Sequence, residues 1–77
     1  MKIRVILHSY LRERLPPESK GRAVIDLPSG SRVADLFDRL GLPPQAAWSI
    51  NGTLQRDLNL ELHENDELRV FRQAAGG

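Results

Sequence analysis

The sequence predicts an α+β domain in which a mixed sheet of four to five strands wraps one helix. Three observations predict it: apolar alternation at both ends of the chain, one amphipathic stripe at about residues 32–41, and an Asn-Gly pair between two short extended segments. With 77 residues the chain holds one domain and one layer of core.

The elements follow in order. Residues 2–8 alternate, with Ile3, Val5 and Leu7 on one side and Lys2, Arg4 and His8 on the other, and Ile6 intruding on the outer side. Residues 10–21 form a polar loop with Pro16-Pro17 and Gly21, and its stretch 10–15 forms a helical turn that the prolines end. Residues 22–27 are a second strand with Ala23, Ile25 and Leu27 on one face; a turn at Pro28-Ser29-Gly30 follows, completing a hairpin with a wide loop. Val33, Leu36, Phe37 and Leu40 fall at i, i+3, i+4 and i+7, the stripe of one buried helical face. Ser31 suits the N-cap, Asp35 the first turn, and Gly41 the left-handed end position, with Pro43-Pro44 barring continuation. Arg32, Asp38 and Arg39 take the solvent face. Residues 47–50 and 53–55 pair across Asn51-Gly52, because both central residues of a type I′ turn need positive φ. Leu58, Leu60 and Leu62 of the connection 57–62 tuck partly into the core, and Trp48 packs there too. Asn65 takes a left-handed turn conformation. Residues 67–72 form the last strand, with Leu68 and Val70 inward and Arg69 outward.

Two strands, a helix and a returning strand let the first and last strands lie side by side and parallel, with the helix crossing one face. This is the β-grasp architecture. A ferredoxin-like arrangement needs a second helix, which 57–62 is too short to supply. The domain spans residues 1–72, and 73–77 form a flexible C-terminal tail.

Composition narrows the function. Net charge is +1, which suits no general polyanion partner. Residues 1–22 concentrate Lys2, Arg4, Arg12, Arg14, Lys20 and Arg22 against Glu13 and Glu18, either a solvated loop and edge strand or a patch for nucleic acid or an acidic partner, the solvated reading being favoured because the basic character stops there. There is no cysteine, hence no disulfide, thiolate metal site or thiol nucleophile. No apolar run spans a membrane and no signal peptide is evident, so cytoplasmic location is expected, with neither nucleic acid nor membrane as partner. His8 and His63 stand alone, the serines lack a neighbouring base, and no phosphate-binding glycine loop follows a strand. The pattern is not that of an enzyme, and no metal or bound cofactor is expected.

The terminal Gly76-Gly77 pair stands apart. Glycine averages about 7% of residues, so such a pair arises by chance in roughly one chain in 200. A carboxyl terminus that must enter another protein's nucleotide pocket gains from glycines, which thread a narrow channel and accept φ values closed to other residues. The stretch from Gln73 onward reaches about 17 Å when extended.

With Ser9-Tyr10-Leu11-Arg12-Glu13, Val33-Ala34-Asp35-Leu36, Ser49-Ile50-Asn51-Gly52 and Asn65-Asp66-Glu67-Leu68 in this order before Ala75-Gly76-Gly77, the chain resembles the prokaryotic ubiquitin-like sulfur carriers, namely the molybdopterin synthase small subunit and the thiamine-biosynthesis carrier. The resemblance implies a carrier protein, itself not an enzyme but a substrate or small subunit. A ubiquitin-activating-type adenylating enzyme would use ATP to activate Gly77, and a sulfur donor would convert it to a thiocarboxylate. A synthase such as the molybdopterin synthase large subunit or thiazole synthase would then accept the sulfur. Gly76 is implied as the spacer, and Phe71, Arg72, Ala74 and Ala75 as partner contacts. Phe71 either presents an exposed ring to the partner or covers the sheet edge. The long loop after the first strand resembles the molybdopterin branch; Arg72-Gln73-Ala74 departs from the paired prolines common there and leaves thiamine-type and other thiolation routes open. A protein modifier conjugated through Gly77 uses the same activation step.

Overall fold

Leu68 and Val70, near the end of the described chain, lie at the centre of the molecule, and the topology explains why. The computed structural model describes residues 1–72; the expected tail at 73–77 lies outside the described residues. Strands β1 (Lys2–Leu7), β2 (Arg22–Asp26), β3 (Trp48–Ile50), β4 (Thr53–Gln55) and β5 (Glu67–Val70) form one mixed sheet in the order β2-β1-β5-β3-β4. The first and last strands pair parallel, from Arg4 opposite Glu67 to Leu7 opposite Val70. The β-grasp arrangement expected from the element order is therefore the one observed, with five strands and one helix, α1 (Val33–Leu40).

The core follows the alternation. Ile3, Val5, Leu7, Leu68 and Val70 line the inner face and are buried, facing Val33, Leu36 and Phe37 of α1. Each such side chain contributes about 1.5–3 kcal/mol by leaving water. Trp48 is buried as expected and meets Phe37 edge-on, with ring centroids 6.3 Å apart. Leu62 is fully buried, while Leu58 and Leu60 pack partly against the core.

Helix α1 starts differently from expectation. Arg32, not Ser31, is the N-cap residue, and its N–H donates to the Asp35 carboxylate at 2.7 Å. Ser31 is buried one position before the cap, its hydroxyl donating to the Pro28 carbonyl at 2.7 Å and its own carbonyl accepting from the Leu62 N–H at 2.9 Å. The segment before β5 also serves the helix: the N–H groups of Val33 and Ala34, two of the donors a helix start leaves without partners, reach the carbonyls of Leu60 and Leu58. Gly41, at φ 66°, ends the helix as expected.

Three strands end earlier than the pattern suggested. β1 stops at Leu7 because Ser9 adopts φ 56° and turns the chain away. β2 ends at Asp26, and β5 at Val70 once β1 has turned off. The intervening loop is more than a polar connection. It contains two 3-10 segments, Ser9–Arg14 and Pro17–Ser19, and it drives Leu11 and Leu15 into the core. At its far end Gly21 has φ 80°, and a Cβ there would lie 2.5 Å from the Leu7 carbonyl oxygen. Only glycine fits that position.

Candidate functional site

The chain leaves the sheet from its middle. β5 is flanked by β1 and β3, and two backbone bonds clamp its end: the His8 N–H to the Val70 carbonyl at 3.0 Å, and the Phe71 N–H to the Ala47 carbonyl at 2.7 Å. Whatever follows Arg72 is thus launched from a rigid base, bonded on both sides.

Of the residues expected at the site, Phe71 and Arg72 are described, and Ala74, Ala75, Gly76 and Gly77 lie outside the described residues. Arg72 is exposed. Phe71 is half-buried, and its ring stacks nearly flat on His8, with centroids 5.1 Å apart and an interplanar angle of 11°. It covers no sheet edge, because β5 lies inside the sheet. One of its faces is occupied by an imidazole.

His8 is the residue that sequence reasoning passed over as a lone surface histidine. Extending the parallel register by one step beyond Leu7 and Val70 sets His8 opposite Phe71, both on the outer face. The register was the available signal, since residues 63 apart in sequence are otherwise unconnected. His8 Nε2 is buried and meets no hydrogen-bond partner among the described residues. Such a group costs about 1–3 kcal/mol.

The rest of the outer face is a polar row. Glu67 accepts a bond from Arg69 Nε at 3.2 Å and lies 3.6 Å from Arg4 Nη1. These pairs are substantially exposed, so they set charge placement more than stability. Ile6 is buried on this face between Arg22 and Arg69, its register partners. Beside the clamp, the loop residues Tyr10, Arg12, Leu15, Lys20 and Gly21 line an open concavity of ≈ 690 Å³. Among the described residues there is no group of three or more histidines and carboxylates to hold a metal, and no helix long and apolar enough to cross a membrane. Among the described residues the site is the clamped end of β5, with the His8–Phe71 stack, the polar row and the loop concavity beside it.

A sheet in the order β2-β1-β5-β3-β4 curled on one helix defines a ubiquitin-like β-grasp fold, and solved structures bear this out. The chain is similar to small archaeal modifier protein 1 of H. volcanii, at 18% identity and TM-score 0.75, covering 95% of this chain and 98% of that one. It is similar to a putative molybdopterin converting factor, subunit 1, from Pyrococcus furiosus, at 20% identity and TM-score 0.76, covering 96% and 99%. A chain from the complex of subunits 1 and 2 of the molybdopterin-converting factor of Helicobacter pylori matches at 17% identity and TM-score 0.68 over the full length of both. At these identities the likeness establishes the fold. No family model and no curated protein matches the sequence.

Proposed function

We propose that the protein is a ubiquitin-like sulfur carrier whose working group is the carboxylate of Gly77. The observation that carries the reading is the position of β5: the last strand is locked in mid-sheet and releases the chain at Phe71–Arg72, only a few residues before Gly76-Gly77. The likeness to a putative molybdopterin converting factor subunit supports it.

The chemistry needs a partner at each step. A carboxylate oxygen of Gly77 attacks the α-phosphorus of ATP in an adenylating enzyme, pyrophosphate leaves, and an acyl-adenylate forms. A hydrosulfide equivalent from a sulfur donor then attacks the acyl carbon, forms the C–S bond, loses its proton and displaces AMP, leaving a thiocarboxylate. Adenylation makes an unreactive carboxylate electrophilic, and the bound sulfur stays with its carrier. The body supplies docking: the stacked Phe71 and the exposed Arg72 follow the end of β5, and the Arg4–Glu67–Arg69 row continues along the same outer face toward the other end of the strand. By analogy with the two-subunit complex from H. pylori, the acceptor is a synthase large subunit, and molybdopterin formation is the leading pathway.

A second reading has its own support. One of the similar structures is a modifier protein, and conjugation through Gly77 to a target lysine uses the same acyl-adenylate. Intact mass of protein purified from its host separates them: one oxygen replaced by sulfur supports the carrier, and higher-mass conjugates support the modifier. Deleting Gly77 is expected to abolish both products while leaving the thermal transition unchanged. Retention of host activity by that deletion would overturn both readings.

A further inference from the structure

β2 is an outer strand, bonded in the sheet to β1 alone. In an antiparallel ladder successive residues address the partner strand and the opposite side in turn. The Leu7 N–H to Gly21 carbonyl bond at 2.7 Å and the Leu27 N–H to Met1 carbonyl bond at 2.9 Å fix the phase. Gly21, Ala23, Ile25 and Leu27 therefore face β1, and the N–H and C=O groups of Arg22, Val24 and Asp26 face the open edge. Among the described residues, one hydrogen bond reaches those backbone groups, from Arg39 Nη1 to the Asp26 carbonyl at 2.8 Å.

Open edges are ordinarily blunted by proline, lysine or a bulge. The strand Arg-Ala-Val-Ile-Asp has no proline, lysine or bulge, its opposite charges sit at its two ends, its register with β1 is continuous, and its central Val24 is 61% exposed. The strand also complements itself. Reversed about Val24, Arg22 falls opposite Asp26, Ala23 opposite Ile25, and Val24 opposite Val24. The residues that face the open edge are the ones brought into hydrogen-bonded pairs by that reversal. Side chains agree on both faces: Arg22 opposes a carboxylate and Val24 opposes valine on the outer face, while Ala23 opposes isoleucine on the inner.

We propose that the open edge of β2 binds the same edge of a second copy, antiparallel and centred on Val24, joining two sheets into one ten-stranded sheet. Arg39 releases the Asp26 carbonyl in the process, and the Asp26 carboxylate turns from the chain's amino terminus, 3.4 Å away, to Arg22 of the partner subunit. The edge is only five residues long, so the contact is smaller than a standard stable interface and the dimer is weak and reversible. Five strand spacings separate the two copies of β5, about 24 Å, so neither copy obstructs the other's clamp at Val70 and Phe71.

The test is a concentration series on the full chain, from about 20 µM to 2 mM, followed by amide NMR and sedimentation equilibrium. Amide shifts along β2, largest at Arg22, Val24 and Asp26, should move with concentration while those of the buried Leu36 and Leu68 stay fixed. Val24→Pro removes an outward N–H without removing a β1 ladder bond and should abolish the dimer, unchanged amide shifts of the buried Leu36 and Leu68 reporting that it folds. Arg22→Asp and Asp26→Arg should each weaken association about tenfold, and the two together should restore it, because the pair is re-formed with its signs exchanged. A chain that stays monomeric at the highest concentration overturns the proposal. So do shifts centred elsewhere, or a double variant no better than the single ones; a response only to an added acidic peptide would assign the edge to a different occupant.

Discussion

The two ends of the β1–β5 pair are held by different chemistry. At the end near Lys2, polar side chains bind backbone. Asn51 accepts from the Glu67 N–H at 2.9 Å and donates to the Asp66 carboxylate at 2.9 Å, and Asp66 in turn accepts from the His63 N–H at 2.8 Å. At the end near Val70 the fastening is mainly packing: Leu11 and Leu15 under the loop, Gly21 against Leu7, and the His8–Phe71 stack, with Ser19 accepting from the Gly21 N–H at 3.3 Å. Side-chain staples leave a surface whose polar groups are already matched. Packing leaves the aromatic and basic groups around Phe71 and Arg72 available to something else. On the proposed function, the end built by packing is the one that a docking protein meets.

Four substitutions test that contrast. Leu11→Ala should cost about 2–5 kcal/mol by opening a cavity under the loop, a fall of some 10 °C or more in Tm for a domain this small. Gly21→Ala forces a Cβ against the Leu7 carbonyl at a positive φ and should cost about 2–4 kcal/mol; an unchanged Tm would mean that the loop is not wedged as described. Asn51→Ala deletes two side-chain bonds at the opposite end and a favourable left-handed residue, for about 1–3 kcal/mol by chemical denaturation. Phe71→Ala should be the mildest, about 1 kcal/mol from the lost stack, yet it should raise the KM for adenylation by the activating partner. If Phe71→Ala instead destabilises as much as Leu11→Ala, the ring belongs to the core and the distinction between the ends collapses.

The two ends also differed in how far the sequence disclosed them. Asn51-Gly52 and Asn65 were legible because αL residues in turns are chemically distinctive, and the structure gives them φ of 49°, 87° and 68°. The helix stripe and the parallel β1–β5 pairing were legible from periodicity and element order. The loop was not. Nothing in its composition distinguishes Leu11 and Leu15, which are buried, from Tyr10, which is 54% exposed, and Ser9 and Lys20 take positive φ without being residues that favour it. Those conformations are imposed by burial elsewhere in the fold. The N-cap was misplaced for a similar reason, since Ser31 is tied to Pro28 and Leu62 and the helix begins one residue later. His8 against Phe71 is a contact between distant residues, and only the register creates it. Of the expected site, Gly76 and Gly77 were read from chemistry and lie outside the described residues.

The pairing of β1 with β5 carries a kinetic consequence. Arg4 meets Glu67 across 63 residues of chain, and the strand that completes the core is the last one made. Closing a loop of that length is costly before any contact rewards it, and such topologies fold slowly. Helix α1 and the β3–β4 hairpin form from local contacts, but Ile3, Val5 and Leu7 have no finished inner face until Leu68 and Val70 arrive. A nascent chain is therefore exposed for longest along β1 and the edge of β2, and folding ends with the insertion of β5. The segment after Val70 gains its anchored base in that same final event, so a partner that reads this base engages only chains that have finished folding.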